Sequence, residues 1–307
     1  MKISTTLYFD RATQQLGDVQ GELAKTQEQL STGKQIVKPS DSPDKASLVT
    51  RLESELARQA SYQGTLKLVN TRLQTEETAL TNTSDVMTRM KELAIQASND
   101  SLSPADRKSI ALEISSLKEQ VLSLANTQDT NGNYLFSGSR VGSPAFGKDA
   151  KGNLVYQGDE SRMKVAVGDN RRMNLNMPGS DAFVKVIRDD GKGNKVGVGF
   201  FQAIDDLANA VKNSDHNNMQ RGIAEITTLQ QGVSDATAQI GSDMNVVDMQ
   251  NSVLDEVTLR LKITKSDAED LDYTSAITKM NKDQLALEAA QSSFAKISQL
   301  SLFKYMN

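Results

Sequence analysis

The chain has 307 residues, with 35 Lys plus Arg against 39 Asp plus Glu, one His, no Cys and no Trp. One imidazole and no thiol exclude a Cys/His zinc site, an iron–sulfur cluster, a disulfide framework and a cysteine nucleophile, leaving only oxygen ligands for any metal. A formal net charge of −4 argues against a nucleic-acid binder, which needs a basic face with interleaved aromatics.

Length gives a prior of about two domains. Hydrophobic residues at 37% with aromatics at 5% suggest an elongated chain with thin cores rather than a compact enzyme. Met1-Lys2-Ile3-Ser4-Thr5 lacks the apolar run of a secretory signal, and no stretch approaches the ~18–20 apolar residues of a membrane span. The default expectation is a soluble cytoplasmic protein. Some export machines, however, read N-termini that carry no cleavable signal, and the absence of Cys suits an oxidising exterior.

Ala12, Leu16, Val19 and Leu23 follow a three–four spacing, with Leu30 one heptad further and polar Thr26 between, which predicts the seam of a helix. Gly33 stops it, and Pro39 and Pro43 forbid continuous helix through the linker. Ser42-Pro43 reads as N-cap plus first helical position. It opens a helix over about 43–98, whose apolar positions Leu52, Tyr62, Leu66, Val69, Leu73, Leu80, Met87, Met90, Ala94 and Ala97 keep one alternation. Glu55, Gln59, Glu76 and Thr83 interrupt it. At 1.5 Å per residue such a helix spans roughly 80 Å.

Asn99-Asp100-Ser101 ends that helix, and Ser103-Pro104-Ala105-Asp106 caps a third, carrying Ile110, Ile114, Leu117, Val121 and Leu124. After Asp129-Thr130-Asn131-Gly132-Asn133 the pattern turns to β. Tyr134-Leu135-Phe136, Leu154-Val155-Tyr156, Lys195-Val196-Gly197-Val198 and residues 163–167 and 183–187 read as strands. Asp149-Ala150-Lys151-Gly152-Asn153 and Asp190-Gly191-Lys192-Gly193-Asn194 read as hairpin turns. Twelve of the 19 glycines fall between positions 132 and 199, which marks this stretch as a separate small β domain.

Helix returns at 201–212, and Ile226, Val233, Ile240, Met244, Val247, Leu254 and Leu261 restore the heptad, with Gln230, Thr237, Asn251 and Thr258 at intervening positions. Ser266-Asp267-Ala268-Glu269 reads as a capping box opening a final helix, whose apolar set Tyr273, Ile277, Met280, Leu287, Phe294 and Ile297 runs on to residues 300–303. The predicted fold class is mainly α with a β insert. Long heptad-patterned helices from both chain ends form an antiparallel coiled-coil or bundle rod, the first beside the last and the second beside the returning one, with the small β domain at the tip. The expected division is a terminal coiled-coil domain at 1–40 and 266–307, a helical rod domain at 41–139 and 200–265, and a β-rich outer domain at 140–199.

No motif asks for catalysis. Counted from Asp129, the sixth and twelfth positions of a calcium loop hold Tyr134 and Arg140, so that segment reads as a turn. The glycine-rich run 191–199 matches neither GxGxxG nor GxxxxGK[ST] and reads as turns and close strand approach. His216, within Asn213-Ser214-Asp215-His216-Asn217-Asn218, reads as part of a solvated loop rather than a base. Neither a GxSxG elbow nor HExxH occurs, and the dispersed Asp and Glu residues fit solvated helix faces. The expectation is no enzyme, no cofactor and no metal.

The apolar stripes of the first and last helices either bury each other within one chain or await neighbours. Two helices cover only one seam each, and Leu7, Tyr8, Phe9, Leu300, Leu302 and Phe303 add apolar surface beyond it, which favours assembly.

Several segments together resemble the flagellin superfamily, and more closely its hook-filament junction branch of hook-associated proteins. They are Lys2-Ile3-Ser4-Thr5, Gln29-Leu30-Ser31-Thr32-Gly33-Lys34, Pro39-Ser40-Asp41-Ser42-Pro43, Leu102-Ser103-Pro104-Ala105-Asp106-Arg107, Ala125-Asn126-Thr127, Gly132-Asn133-Tyr134-Leu135-Phe136-Ser137-Gly138 and the tail Lys296-Ile297-Ser298-Gln299-Leu300-Ser301-Leu302-Phe303. Ser42 departs from the second Asp that members often carry there. The resemblance implies a non-catalytic structural subunit of the bacterial flagellum, exported without a cleavable signal through the flagellar type III apparatus to an extracellular position. It implies as partners the preceding hook-associated junction protein, flagellin, an export chaperone at the C-terminal helix and further copies in a ring. Flagellin itself and a generic coiled-coil scaffold stay open as alternatives. The expected assembly interface is Ile3, Leu7, Leu16, Val19, Leu23, Leu30, Ile277, Met280, Leu287, Phe294, Ile297, Leu300 and Phe303.

Overall fold

The computed structural model describes residues 2–189 and 194–303. Its elements run α1 (Lys2–Thr32), a 3-10 turn (Pro39–Asp41), α2 (Pro43–Ala97), α3 (Pro104–Ala125), β1 (Phe146–Lys148), β2 (Leu154–Tyr156), β3 (Lys164–Ala166), β4 (Arg172–Asn174), a short α4 (Gly179–Ala182), β5 (Val186–Asp189), β6 (Lys195–Val198), α5 (Phe200–Lys212), α6 (His216–Glu269) and α7 (Tyr273–Phe303). Mainly α with a small β insert is therefore the fold class. The chain divides into two compact units, one of Met1–Gln59 with Glu256–Asn307 and one of Ala60–Asp255.

In the Ala60–Asp255 unit the heptad positions read from the sequence form the core. Leu66, Val69, Leu80, Met87 and Met90 of α2 and Ile226, Val233, Ile240 and Val247 of α6 are wholly buried. Gln63 donates to Asp255 at 2.7 Å and Gln230 to Thr88 at 2.8 Å, so these two stretches run antiparallel. Helix α3 starts as the sequence dictates. The Ser103 hydroxyl accepts the Asp106 N–H at 3.2 Å, and the Asp106 carboxylate accepts the Ser103 N–H at 3.3 Å, closing a reciprocal cap behind Pro104. Small residues on the facing sides of α3 and α5, including Ala111, Ala203 and Ala208, let the two helices approach, and Lys118 pairs with Asp205 at 2.7 Å beside them.

The insert is three antiparallel two-stranded ribbons, β1 with β2, β3 with β4 and β5 with β6, with Gly147 opposite Val155, Val165 opposite Met173 and Ile187 opposite Gly197. Two-stranded ribbons are marginal alone. Here a cluster of Phe136, Phe146, Phe183, Phe200 and Phe201 holds the ribbon bearing Phe146 to α5, with ring centroids of neighbouring pairs 5.1–5.6 Å apart and mostly edge to face.

Three sequence expectations need correction. Tyr134-Leu135-Phe136 is not a strand. Tyr134 N–H donates to Val141, Leu135 N–H to Thr127, and Phe136 carbonyl accepts from Gly179, so successive residues bond three different segments and no ladder forms. The strand expected over 183–187 begins only at Val186, because Phe183 N–H closes a helical turn onto the Gly179 carbonyl at 2.8 Å. His216 opens α6 rather than lying in a loop, since Asp215 accepts the Asn218 N–H at 3.1 Å and caps that helix; His216 itself is exposed beside Gln220. The Asp149 turn is as expected, its carboxylate accepting the Lys151 and Asn153 N–H groups at 2.8 and 2.9 Å. The turn over 190–194 lies mostly outside the described residues.

Candidate assembly surface

The unit of Met1–Gln59 with Glu256–Asn307 is built on α1 packed antiparallel to α7. Phe9 meets Phe294 edge to face with centroids 5.6 Å apart, and Lys279 reaches back to Glu22 at 2.6 Å and to the Thr26 hydroxyl at 3.3 Å. Thr26, read in sequence as a break in the apolar seam, is wholly buried; its hydroxyl also donates to the Glu22 carbonyl at 2.9 Å, which satisfies it locally. The hydrogen bond and charge of Lys279 hold the Glu22 carboxyl below the usual carboxylate range.

The predicted seam is assembled but incompletely covered. Leu16, Val19, Leu23 and Leu30 of α1 and Met280, Leu287 and Phe294 of α7 are each half-buried. Leu7 is 50% exposed and Ile277 is 46% exposed. Among the described residues of α1 and α7 only Thr26 and Ala276 are buried. The side chains of Ile3, Ile297, Leu300 and Phe303 lie outside the described residues. Leucines and phenylalanines arranged in register yet left partly in solvent are the mark of helices with one partner where a core needs two or more.

The joint beneath the seam explains the sequence motifs at 29–43 and corrects the start of the final helix. Gly33 ends α1 at φ +70, a left-handed conformation, and a side chain there would meet the Tyr273 hydroxyl at 2.8 Å. Leu271 N–H donates to the Gly33 carbonyl and Gln35 N–H to the Glu269 carbonyl, a short antiparallel pairing at Lys34 and Asp270 that interrupts the helix. The supposed capping box therefore sits in the last turn of α6. Ser266 bonds forward to Asp270, and Glu269 is buried between Lys34 and Lys265. Asp272 is the actual cap of α7, accepting the Thr274 and Ser275 N–H groups at 3.0 and 3.3 Å. Asp41 accepts the Lys38 N–H at 2.9 Å and pairs with Lys25 at 2.9 Å; the Lys25 contact first, and the backbone donors after it, keep its carboxyl low.

Two of the residues that shape this surface, Glu22 and Lys279, were not singled out by sequence reasoning. Their only signal was position, since Glu22 lies one turn before the polar Thr26 within an otherwise apolar stripe.

Two family models match the chain, the bacterial flagellin N-terminal helical region over residues 3–140 and the bacterial flagellin C-terminal helical region over residues 223–306. The chain belongs to the bacterial flagellin family. Within that family it is 27% identical to Flagellar hook-associated protein 3 of Escherichia coli K12, over 99% of both chains. Identity to flagellin of Listeria monocytogenes is 22%, over 97% of this chain and 96% of that one. A solved structure of a flagellar hook-associated protein from Vibrio parahaemolyticus is similar at a TM-score of 0.66 and 25% identity, covering 75% of this chain and all of that one. These flagellin-family relatives are structural proteins of the flagellum, and the stretch between the two matched regions contains all six strands of the insert.

Proposed function

We propose that the chain is a structural subunit of the bacterial flagellum that joins the hook side to the flagellin filament. The observation that carries this reading is the pairing of a full-length likeness to hook-associated protein 3 with a terminal helix pair whose apolar seam stays partly in solvent. The mechanism is mechanical. The described seam residues Leu7, Leu16, Val19, Leu23, Leu30, Ile277, Met280, Leu287 and Phe294, with Ile3, Ile297, Leu300 and Phe303 beyond them, complete their burial against neighbouring subunits in a ring. Each side chain so covered contributes at ~25 cal/mol per Å². That burial offsets the ~1–2 kcal/mol per residue of backbone entropy lost when the helices order.

In this reading the terminal domain, 1–40 and 266–307, supplies the cohesion. The segments 41–139 and 200–265 form a second, helical domain, and residues 140–199 an outer one. The preceding hook-associated protein lies on one side of the ring and flagellin on the other. The C-terminal helix is the handle for an export chaperone, and the chain leaves the cell without a cleavable signal. No catalysis is part of this role.

The test is a deletion strain. Under this reading hooks still form and carry the preceding junction protein, while flagellin accumulates in the medium as monomer and filaments are shed. Normal filaments on the deletion strain would end the junction reading. Spontaneous polymerisation of the purified chain into long filaments would favour a filament subunit instead.

A further inference from the structure

Glu76, on the buried face of α2, has no solvent exposure at all. Its two oxygens are treated differently by the fold. Oε1 accepts from the Arg72 guanidinium at 3.2 Å, whereas Oε2 is buried and makes no direct hydrogen bond, the Met177 backbone N–H acting on the carboxyl as the second nearby donor group. The residue lines a cavity of about 30 Å³, large enough for one water molecule, whose wall also carries Asp243 and Gln239 from α6 and Arg162 and Asn176 from the insert.

Most of the other polar groups around this cavity are already engaged. Asn176 accepts the Met163 N–H at 2.7 Å and donates to the Ser161 carbonyl at 3.1 Å, Gln239 donates to Asp243 at 3.1 Å, and Arg162 bonds Asp181 at 2.6 Å. Arg72 is shared as well, reaching the Leu135 carbonyl at 2.9 Å and Asp129 at 3.5 Å. The charged groups facing Glu76 are thus Arg72 on its own helix, Asp243 on α6 and Arg162 on the insert, with Asp129 drawing on Arg72 from the far side.

One oxygen bound to Arg72 and one buried without a hydrogen bond suits a neutral carboxyl, which has an O–H to donate beside its acceptor capacity. We propose that Glu76 is a proton-binding site built into the fold, held protonated with its O–H directed into the cavity toward Asp243, and that its ionisation loosens the seat of the β insert on α2 and α6. Two carboxylates facing one small cavity in a low-dielectric interior cannot both stay charged without cost. Burial, opposed by Arg72 and by the Met177 backbone, pushes Glu76 up to about 8, with Asp243 adding to the rise. Asp243 is itself raised by burial.

The folded value lies above the unfolded one, so the stabilisation is fully present below about 4.5 and is lost as pH rises to about 8. Within that window one proton is released on unfolding, and the folded-to-unfolded ratio falls about tenfold per pH unit.

The experiment follows urea unfolding of the full chain between pH 6 and 8 at constant ionic strength, in a His216→Gln background that removes the single imidazole. The expected result is that fall of about tenfold per unit, abolished by Glu76→Gln, whose amide keeps an acceptor and a donor on the two positions but cannot ionise. An equal slope in Glu76→Gln, or no slope in the unsubstituted chain, overturns the proposal. So does stabilisation by Na⁺ over choline that Glu76→Gln removes, because a cation and not a proton would then occupy the site. Should Glu76→Gln not fold, carboxyl ¹³C NMR of the glutamate-labelled full chain decides. One glutamate titrating above pH 7 supports the proposal, and all titrating in the ordinary range overturns it.

Discussion

Phe294→Ala separates what the terminal seam contributes within one chain from what it contributes between chains. A fully buried Phe costs ~3–5 kcal/mol when cut to Ala. Phe294 is partly buried, against the edge of Phe9 at 5.6 Å, so most but not all of that, ~2–3 kcal/mol, is lost in the dilute chain. Of this, ~0.5–1.5 kcal/mol belongs to the ring pair itself and should vanish when Phe9 is already Ala. The remaining ~1 kcal/mol is withheld until neighbours cover the exposed part of the ring, and it corresponds to roughly fivefold weaker association per contact. Two assays read the two contributions. Amide exchange and urea unfolding of the dilute chain should show α1 and α7 opening more easily than the buried stretch of α2 around Leu80, with a modest further loss in the variant. Complementation of a deletion strain should show filaments shed even though the variant is exported. A monomer penalty of the full ~3–5 kcal/mol combined with normal filament retention would refute the reasoning, because the seam would then be satisfied inside one subunit.

Gly138→Ala should be severe for a short side chain. The residue sits at φ +71, and a Cβ would lie 2.2 Å from the Asp159 backbone oxygen, so a loss of more than ~2 kcal/mol is expected in urea unfolding. Asn126→Ala removes a side chain that donates to the Phe146 carbonyl at 3.0 Å and accepts the Phe146 N–H at 2.9 Å, much as a neighbouring strand would. About 1–3 kcal/mol should go, with β1 amides losing protection first. Glu269 is held low by Lys34 first and Lys265 next. A depressed carboxyl stabilises above its unfolded value and loses that contribution as pH falls through the folded one, so Glu269→Gln should flatten the acid side of the stability curve. It should also cost ~1.5–3 kcal/mol at neutral pH, read from the unfolding of the α1–α7 unit.

The elements that could be read from the sequence were those held by local chemistry. Ser103-Pro104-Ala105-Asp106 starts a helix because every group in the cap lies within four residues, and Gly33 stops one because only the residue itself must tolerate φ +70. The same kind of local motif misled at Ser266-Asp267-Ala268-Glu269. There the helix continues because Glu269 is bound by Lys34, more than two hundred positions away, and the break falls where Leu271 pairs with Gly33. Tyr134-Leu135-Phe136 has the composition of a strand, but its backbone partners come from three separate segments, which no local pattern encodes. The terminal apolar seam was legible as a stripe, since heptad spacing is a one-dimensional property; how far each residue is covered was not.

Composition, cap chemistry and hydrophobic period by themselves determined that this chain is mostly long helix, that a glycine-rich β insert divides it, and that its two ends carry matching apolar stripes. Each of those properties arises from neighbours along the chain. Only the tertiary structure decided that the stripes cover each other incompletely, that Glu269 and not a new cap ends α6, and that Glu76, one polar break among several in a heptad, faces a small cavity shared with Asp243. Burial and electrostatics depend on what the folded chain brings within a few ångströms, and groups 167 positions apart in sequence, such as Glu76 and Asp243, leave no mark on each other until it does.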